Sequence, residues 1–185
     1  MILNRDLLNK AKEHSAERMQ YEYNRAGYKN EIRKSMILLG TIGQLGFKQF
    51  LDDKNFSNYT LQLQAGKYDD FDFTLGDEIV EIKTSGYDSS FNSLNLLYSE
   101  DQLFSGKQKN FSYCVQLFVN GYDRNTKKLN LDKCNTLKIA GYIEFDKIQD
   151  YKNPEPRFWG DHYKVPILKL KDINKLLSKI KNDKN

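Results

Sequence analysis

The sequence predicts an α/β domain, a central β-sheet flanked by helices, on three observations. Residues 68–85 alternate apolar and polar side chains on either side of a Gly76-Asp77 pair, the pattern of a β-hairpin. Upstream, Ile32, Met36, Leu39 and Ile42, then Leu45, Phe47, Phe50 and Leu51, recur at helical spacing. Downstream, FSYCVQLFV (111–119) and LKIAGYIEF (137–145) are rich in β-branched and aromatic residues, as core strands are.

In chain order, a first helix is expected from Asn4 to about Tyr23, with Leu7, Leu8, Ala11 and Met19 on one side. Arg18, Arg25, Lys29, Arg33 and Lys34 make this end basic, so it is either a grip for phosphate or an ordinary solvated face. The second helical pattern contains Gly40, Gly43 and Gly46, each costing up to about 1 kcal/mol in a helix interior. They indicate either close packing against a neighbouring backbone or a break near Gly40. Tyr59, Leu61 and Leu63 alternate as a first strand.

In the hairpin, the runs Asp70–Leu75 and Glu78–Lys83 register about Gly76-Asp77 so that Phe73 faces Val80 and Phe71 faces Ile82. Asp72 then lies opposite Glu81, and Asp70 opposite Lys83. Opposed residues have Cβ atoms roughly 4.5–5.5 Å apart, close enough for two carboxylates to share one hydrated divalent cation. Without a cation, such like charges destabilise the pair.

Residues 86–110 are polar around LNLLY and read as a loop leading into a helix from about Leu94 to Phe104. After the strand at 111–119 come a turn at 121–125, a short strand or excursion, and the strand at 137–145. Phe158, Trp159 and Tyr163, flanked by Arg157 and His162, either pack a loop onto the core or stack on a base. A short strand at 165–170 precedes an amphipathic helix that starts at Asp172 and carries Ile173, Leu176, Leu177 and Ile180. One domain is expected over residues 1–185, with a helical extension over about the first 30.

Asp72, eight intervening residues and then Glu81-Ile82-Lys83 resemble the signature of the PD-(D/E)xK nuclease superfamily, with Phe71 at the nominal proline. The resemblance implies a restriction-endonuclease-like core with a central mixed β-sheet and flanking helices. It implies hydrolysis of DNA phosphodiester bonds with Mg²⁺, for which Mn²⁺ would substitute. Asp72, Glu81 and the carbonyl of Ile82 would hold the metal, with Asp70 as a further acid, and Lys83 would assist the attacking water or the developing charge. Many relatives carry a glutamate on the first core helix; the matching residue here is Gln44, and Glu31 is the alternative source of that acid. Contacts to DNA are expected from Arg33, Lys34, Ser85, Gln102 and Lys107. A restriction-type catalytic subunit, a junction resolvase-like enzyme and a non-catalytic nucleic-acid-binding protein of the same fold are the competing roles. The first two bring a recognition or nicking partner, or a homodimer.

Composition fits these classes. Lysine and arginine total 29 against 25 acidic residues, a net charge of +4, and acids gathered in one site leave the remaining surface more basic. No apolar run reaches 18 residues and no secretory leader pattern occurs, so a soluble cytoplasmic protein with no membrane partner is expected. Cys114 and Cys134 are too few and too isolated for a disulfide framework or a zinc site, and read as small core or semi-buried residues.

Overall fold

The computed structural model describes residues 1–21, 29–63, 72–87, 94–100, 103, 110–123, 125–153 and 162–182. Helix α1 (Arg5–Arg18) opens where Asn4 Oδ1 accepts the N–H of Leu7 at 2.8 Å, with Asp6 in its first turn and Arg18 in its last, both complementing the helix dipole. Its apolar side, Leu7, Leu8 and Ala11, packs on α2 (Asn30–Asp53).

Helix α2 runs 24 residues without a break, about 36 Å of chain. Its glycines are explained by contact with the sheet. A Cβ on Gly43 would stand 1.8 Å from Oγ1 of Thr84, and one on Gly46 would stand 2.5 Å from Cδ1 of Leu137, whereas one on Gly40 would meet nothing within 4 Å. Gly43→Ala should therefore destabilise the protein by about 1–3 kcal/mol, the usual cost of overpacking. Gly40→Ala should stabilise it by up to about 1 kcal/mol. Urea melts of the two variants read both signs.

The central sheet is mixed. Strands β1 (Tyr59–Leu61), β2 (Phe73–Leu75), β3 (Glu78–Gly86), β5 (Tyr113–Val119) and β8 (Leu137–Glu144) lie in the order β1-β2-β3-β5-β8. Only the β3–β5 pairing is parallel. A separate two-stranded ribbon joins β4 (Asn95–Ser99) to β9 (His162–Pro166), and a second joins β6 (Tyr122–Asp123) to β7 (Lys128–Leu129).

Strand alternation divides the side chains of β3 between two layers. Val80 and Ile82 enter the main core with Leu39, Ile42, Phe47 and α3 (Ile173–Asn182), and Thr84 meets Gly43 of α2. On the other face, β5 contributes Cys114 to a second core with Leu96, Tyr98, Ile143, Tyr163 and Val165, built around the β4–β9 ribbon. The amphipathic pattern after Asp172 thus forms a helix, and Asp172 Oδ1 accepts the N–H of Asn174 at 2.9 Å.

Two expected elements differ. Residues 95–99 are a strand, where a helix over Leu94–Phe104 was expected, because Leu96 and Tyr98 alternate into the second core when paired with Val165 and Tyr163. The last strand spans His162–Pro166 and ends in a 3-10 turn over Ile167–Lys169. Tyr163 is buried within it; Arg157, Phe158 and Trp159 lie outside the described residues. No helix among the described residues is long and apolar enough to cross a membrane.

Candidate active site

The hairpin forms in the expected register, with Phe73 paired to Val80 and Leu75 to Glu78. Gly76 has φ +59°, the left-handed value that a tight reversal with glycine in its first position requires. Beyond Phe73 the ladder gives way to side-chain bonding at Asp72. Its backbone carbonyl accepts the N–H of Gln62 at 3.0 Å, tying it to the chain that leaves β1. Its carboxylate replaces a strand partner: Oδ2 accepts the N–H of Ile82 at 2.7 Å, and Oδ1 accepts from Nε2 of Gln44 at 2.5 Å. A carboxylate held by backbone and amide donors in this way has one fixed orientation.

Asp72 is half-buried, and desolvation of its carboxyl, followed by the negative charge of Glu81, raises its pKa to about 7 against the opposing pull of Ile82, Lys83 and Gln44. Glu81 is itself half-buried and accepts from Nζ of Lys83 at 2.6 Å. Burial presses the Lys83 ammonium toward neutrality, yet the charge and hydrogen bond of Glu81 outweigh it, so its pKa is raised. Lys83 Nζ also lies 4.5 Å from the centre of the Tyr98 ring, within the range of a cation–π contact. Tyr98 is buried, and its hydroxyl lies 3.6 Å from Sγ of Cys114. Burial pushes the Cys114 thiol up to about 12 and that of Cys134 to about 11. Both are neutral core thiols at physiological pH, which fits their reading as core residues.

Gln44 enters from the helical layer. It is buried, and while its amide nitrogen serves Asp72, its Oε1 accepts from Nη1 of Arg18 at 2.9 Å. The site therefore gathers Arg18 from α1, Gln44 from α2, Asp72 at the start of β2, Glu81 and Lys83 from β3, and Tyr98 from β4. Arg18 stood out in the sequence only as one of several basic residues, and Tyr98 only within a misread helix. Neither carries a motif, because their place depends on how α1 crosses α2 and on how β4 pairs with β9.

No known family model, curated protein or solved structure matches this chain. Its chemistry must be read from the site itself.

The other expected site residues are dispersed. Glu31 is overturned as the alternative acid: it stands in the first turn of α2, exposed and 2.8 Å from Nζ of Lys128. The 13 residues that separate it from Gln44 along one continuous helix amount to about 20 Å of rise. Nη2 of Arg33 donates to the carbonyl of Met19 at 3.0 Å, bracing α2 against the end of α1, and Lys34 is exposed. Ser85 follows Lys83 on the same face of β3, and its hydroxyl accepts from Nε2 of Gln116 at 3.4 Å. Asp70, Phe71, Gln102 and Lys107 lie outside the described residues.

Beyond Lys83, the end of β3 borders a cavity of about 390 Å³ lined by Met36, Thr84, Ser85, Leu97, Tyr122 and Lys164, among others. Among the described residues, no cluster of three or more His, Cys, Asp or Glu side chains gathers.

Proposed function

We propose that this protein is a divalent-metal-dependent DNA endonuclease with a restriction-endonuclease-like core. The observation that carries the reading is the placement of Asp72: its carboxylate is seated on the backbone N–H of Ile82, between Glu81 and Lys83, where the hairpin strands part. The residues suit such an ion. Asp72 and Glu81 offer hard oxygen donors, with the Ile82 carbonyl as a third, a set appropriate to Mg²⁺ or Mn²⁺. Two neighbouring carboxylates in a half-buried site also need a cation before both are comfortably ionised, which is the condition that Asp72 displays.

A bound divalent ion supplies charge neutralisation at the phosphoryl oxygens and prepares water for attack. The remaining work belongs to the chain. Lys83 spends one of its three N–H donors on Glu81 and presents the others to a phosphate oxygen as negative charge develops on it. The Tyr98 ring holds that ammonium from below and keeps it from swinging away from Glu81. Ser85 and Lys164 line the cavity past Lys83 and in this reading would meet the substrate strand beside the cut.

The substrate is settled by cleavage assays on labelled linear duplex, supercoiled plasmid and a four-way junction, each with Mg²⁺ and with EDTA. Metal-dependent cutting is expected. Preference for plasmid and duplex gives a restriction-type role, and preference for the junction gives a resolvase-like one. DNA binding without any cutting sinks the catalytic reading in favour of a binding role or a required partner subunit.

Tyr98 gives a separate expectation. A cation–π contact contributes about 0.5–2 kcal/mol, so Tyr98→Leu should lower kcat by roughly tenfold with KM for DNA little changed. Tyr98→Phe keeps the ring and should stay close to wild type. Single-turnover cleavage by the two variants separates the ring from the hydroxyl.

A further inference from the structure

The chain of contacts from Arg18 through Gln44 to Asp72 is set by chemistry. A guanidinium can only donate and an ionised carboxylate can only accept. An amide between them is satisfied in one orientation, oxygen toward the arginine and nitrogen toward the aspartate, and Gln44 has it: 2.9 Å on the arginine side and 2.5 Å on the aspartate side. Glutamate at this position could accept from Arg18 but could not donate to Asp72. Methionine could do neither. An amide of this reach joins the two, donating on one side and accepting on the other.

We infer that Arg18 is a positioning residue that locks the Gln44 amide as a hydrogen-bond donor to Asp72 and thereby keeps its oxygen out of the ligand set of a divalent cation. The inference rests on the metal-site reading above. It makes α1 a working part of the site, although α1 lies outside the hairpin that carries the acids. It also defines the cation's protein ligands as Asp72, Glu81 and backbone oxygen, with water completing the shell of an ion that keeps several waters. The buried face of α1, through Leu7, Leu8, Ala11 and Ser15, fixes the helix that delivers the guanidinium.

The lock is tested with Arg18→Met, which keeps the stem and removes the donors, and Arg18→Lys, which keeps a cationic donor. Two readouts are taken. The first is the Gln44 side-chain amide pair in ¹⁵N–¹H correlation spectra of metal-free protein, assigned by its disappearance in Gln44→Glu. In the wild type this pair should exchange slowly with solvent. Arg18→Met should bring it into fast exchange, and Arg18→Lys should restore slow exchange. The second is Mn²⁺ binding, followed by the loss of the free-ion paramagnetic resonance signal. Arg18→Met removes a positive charge and frees the amide oxygen, and both changes favour the cation. Its affinity should rise roughly tenfold, the scale on which outer partners tune metal sites. A merely structural role for Arg18 would loosen Asp72 and weaken binding instead. An unchanged amide signal in Arg18→Met, or Mn²⁺ affinity that is unchanged or weaker, overturns the inference. Wild-type protein that takes up no Mn²⁺ defeats the metal-site reading, and the amide signal still decides the orientation by itself.

Discussion

Glu81→Ala and Lys83→Ala should each lower Mg²⁺-dependent DNA cleavage by roughly 10³-fold if the proposed site is right, a loss in the range of removing one charge-stabilising or proton-handling group from a phosphoryl-transfer site. Glu81→Ala removes an oxygen donor from the cation and unpairs Lys83, whose ammonium now makes a 2.6 Å bond to it. Lys83→Ala leaves both carboxylates in place but strips the site of the ammonium that pairs with Glu81, so Mg²⁺ should still bind while cleavage fails. Lys83→Arg should not restore activity, because a planar guanidinium presents its donors in a fixed fork unlike the compact, rotatable ammonium that now meets Glu81. Asp77→Ala, at an exposed turn position of the same hairpin, should cut like wild type. Single-turnover rates at saturating protein, with circular dichroism to verify folding, separate these outcomes. Cleavage retained in both alanine variants would reduce the hairpin to a structural element with a polar face.

In the metal-free protein, Asp72→Asn should flatten the fall in stability between about pH 4 and pH 8, because asparagine cannot ionise, while its NH₂ group faces one of the two donors, Ile82 N–H or Gln44 Nε2, and lowers the level of the flattened curve. The sign follows from the direction of the shift. Burial and Glu81 raise the Asp72 carboxyl from 3.8 to about 7, so the native state holds a proton that the unfolded chain has already released. Stability contributed by that proton is fully present below about pH 4 and is lost as pH rises toward 7 and past it. The exposed carboxylates Asp52 and Asp123 shift the opposite way, Asp52 chiefly through its hydrogen bond from Lys48 and Asp123 chiefly through the backbone N–H of Thr126. Their stabilisation is present above their unfolded pKa values and is lost as pH falls through the lower folded ones, so they shape the acid limb alone. Subtracting the Asp72→Asn curve from the wild-type curve cancels them. Mg²⁺ should reverse the penalty, since binding requires the ionised carboxylate and releases its proton. The stabilisation it gives to wild type should be larger at pH 8 than at pH 6 and absent in Asp72→Asn. Chemical denaturation across pH 4–9, with and without Mg²⁺, reads all of these slopes.

The hairpin register was legible because a two-residue period and a glycine-led turn leave few alternatives: a slip by one residue would send Phe73 and Val80 to the polar face. The central acids followed from that register alone. Residues 95–99 were misread because LNLLY is short enough to fit either a helix or a buried strand. What decides it is the pairing of Leu96 with Val165 and Tyr98 with Tyr163, contacts far apart in sequence that no local pattern records. The glycines of α2 carried a correct clue to close packing, yet only the sheet shows that Thr84 and Leu137 are what they accommodate. Glu31 was the alternative source of the acid that the resemblance puts on the first core helix, and the length of the unbroken α2, which the three glycines obscured, sets it about 20 Å along the helix from Gln44. Gln44 was found through the family resemblance, while its role as a donor to Asp72 depends on Arg18, which arrives from a different helix.

The claim on which the rest depends is that Asp72 and Glu81 jointly hold one divalent cation. The most direct measurement is an anomalous difference map from crystals of the protein grown with Mn²⁺, collected above and below the manganese edge. The account predicts a single peak at this site, bounded by the carboxylates of Asp72 and Glu81, with the Gln44 amide nitrogen still on Asp72 and its oxygen on Arg18. A map with no peak between the two carboxylates, from crystals that contain Mn²⁺ at millimolar concentration and diffract well enough to show the side chains, would contradict it.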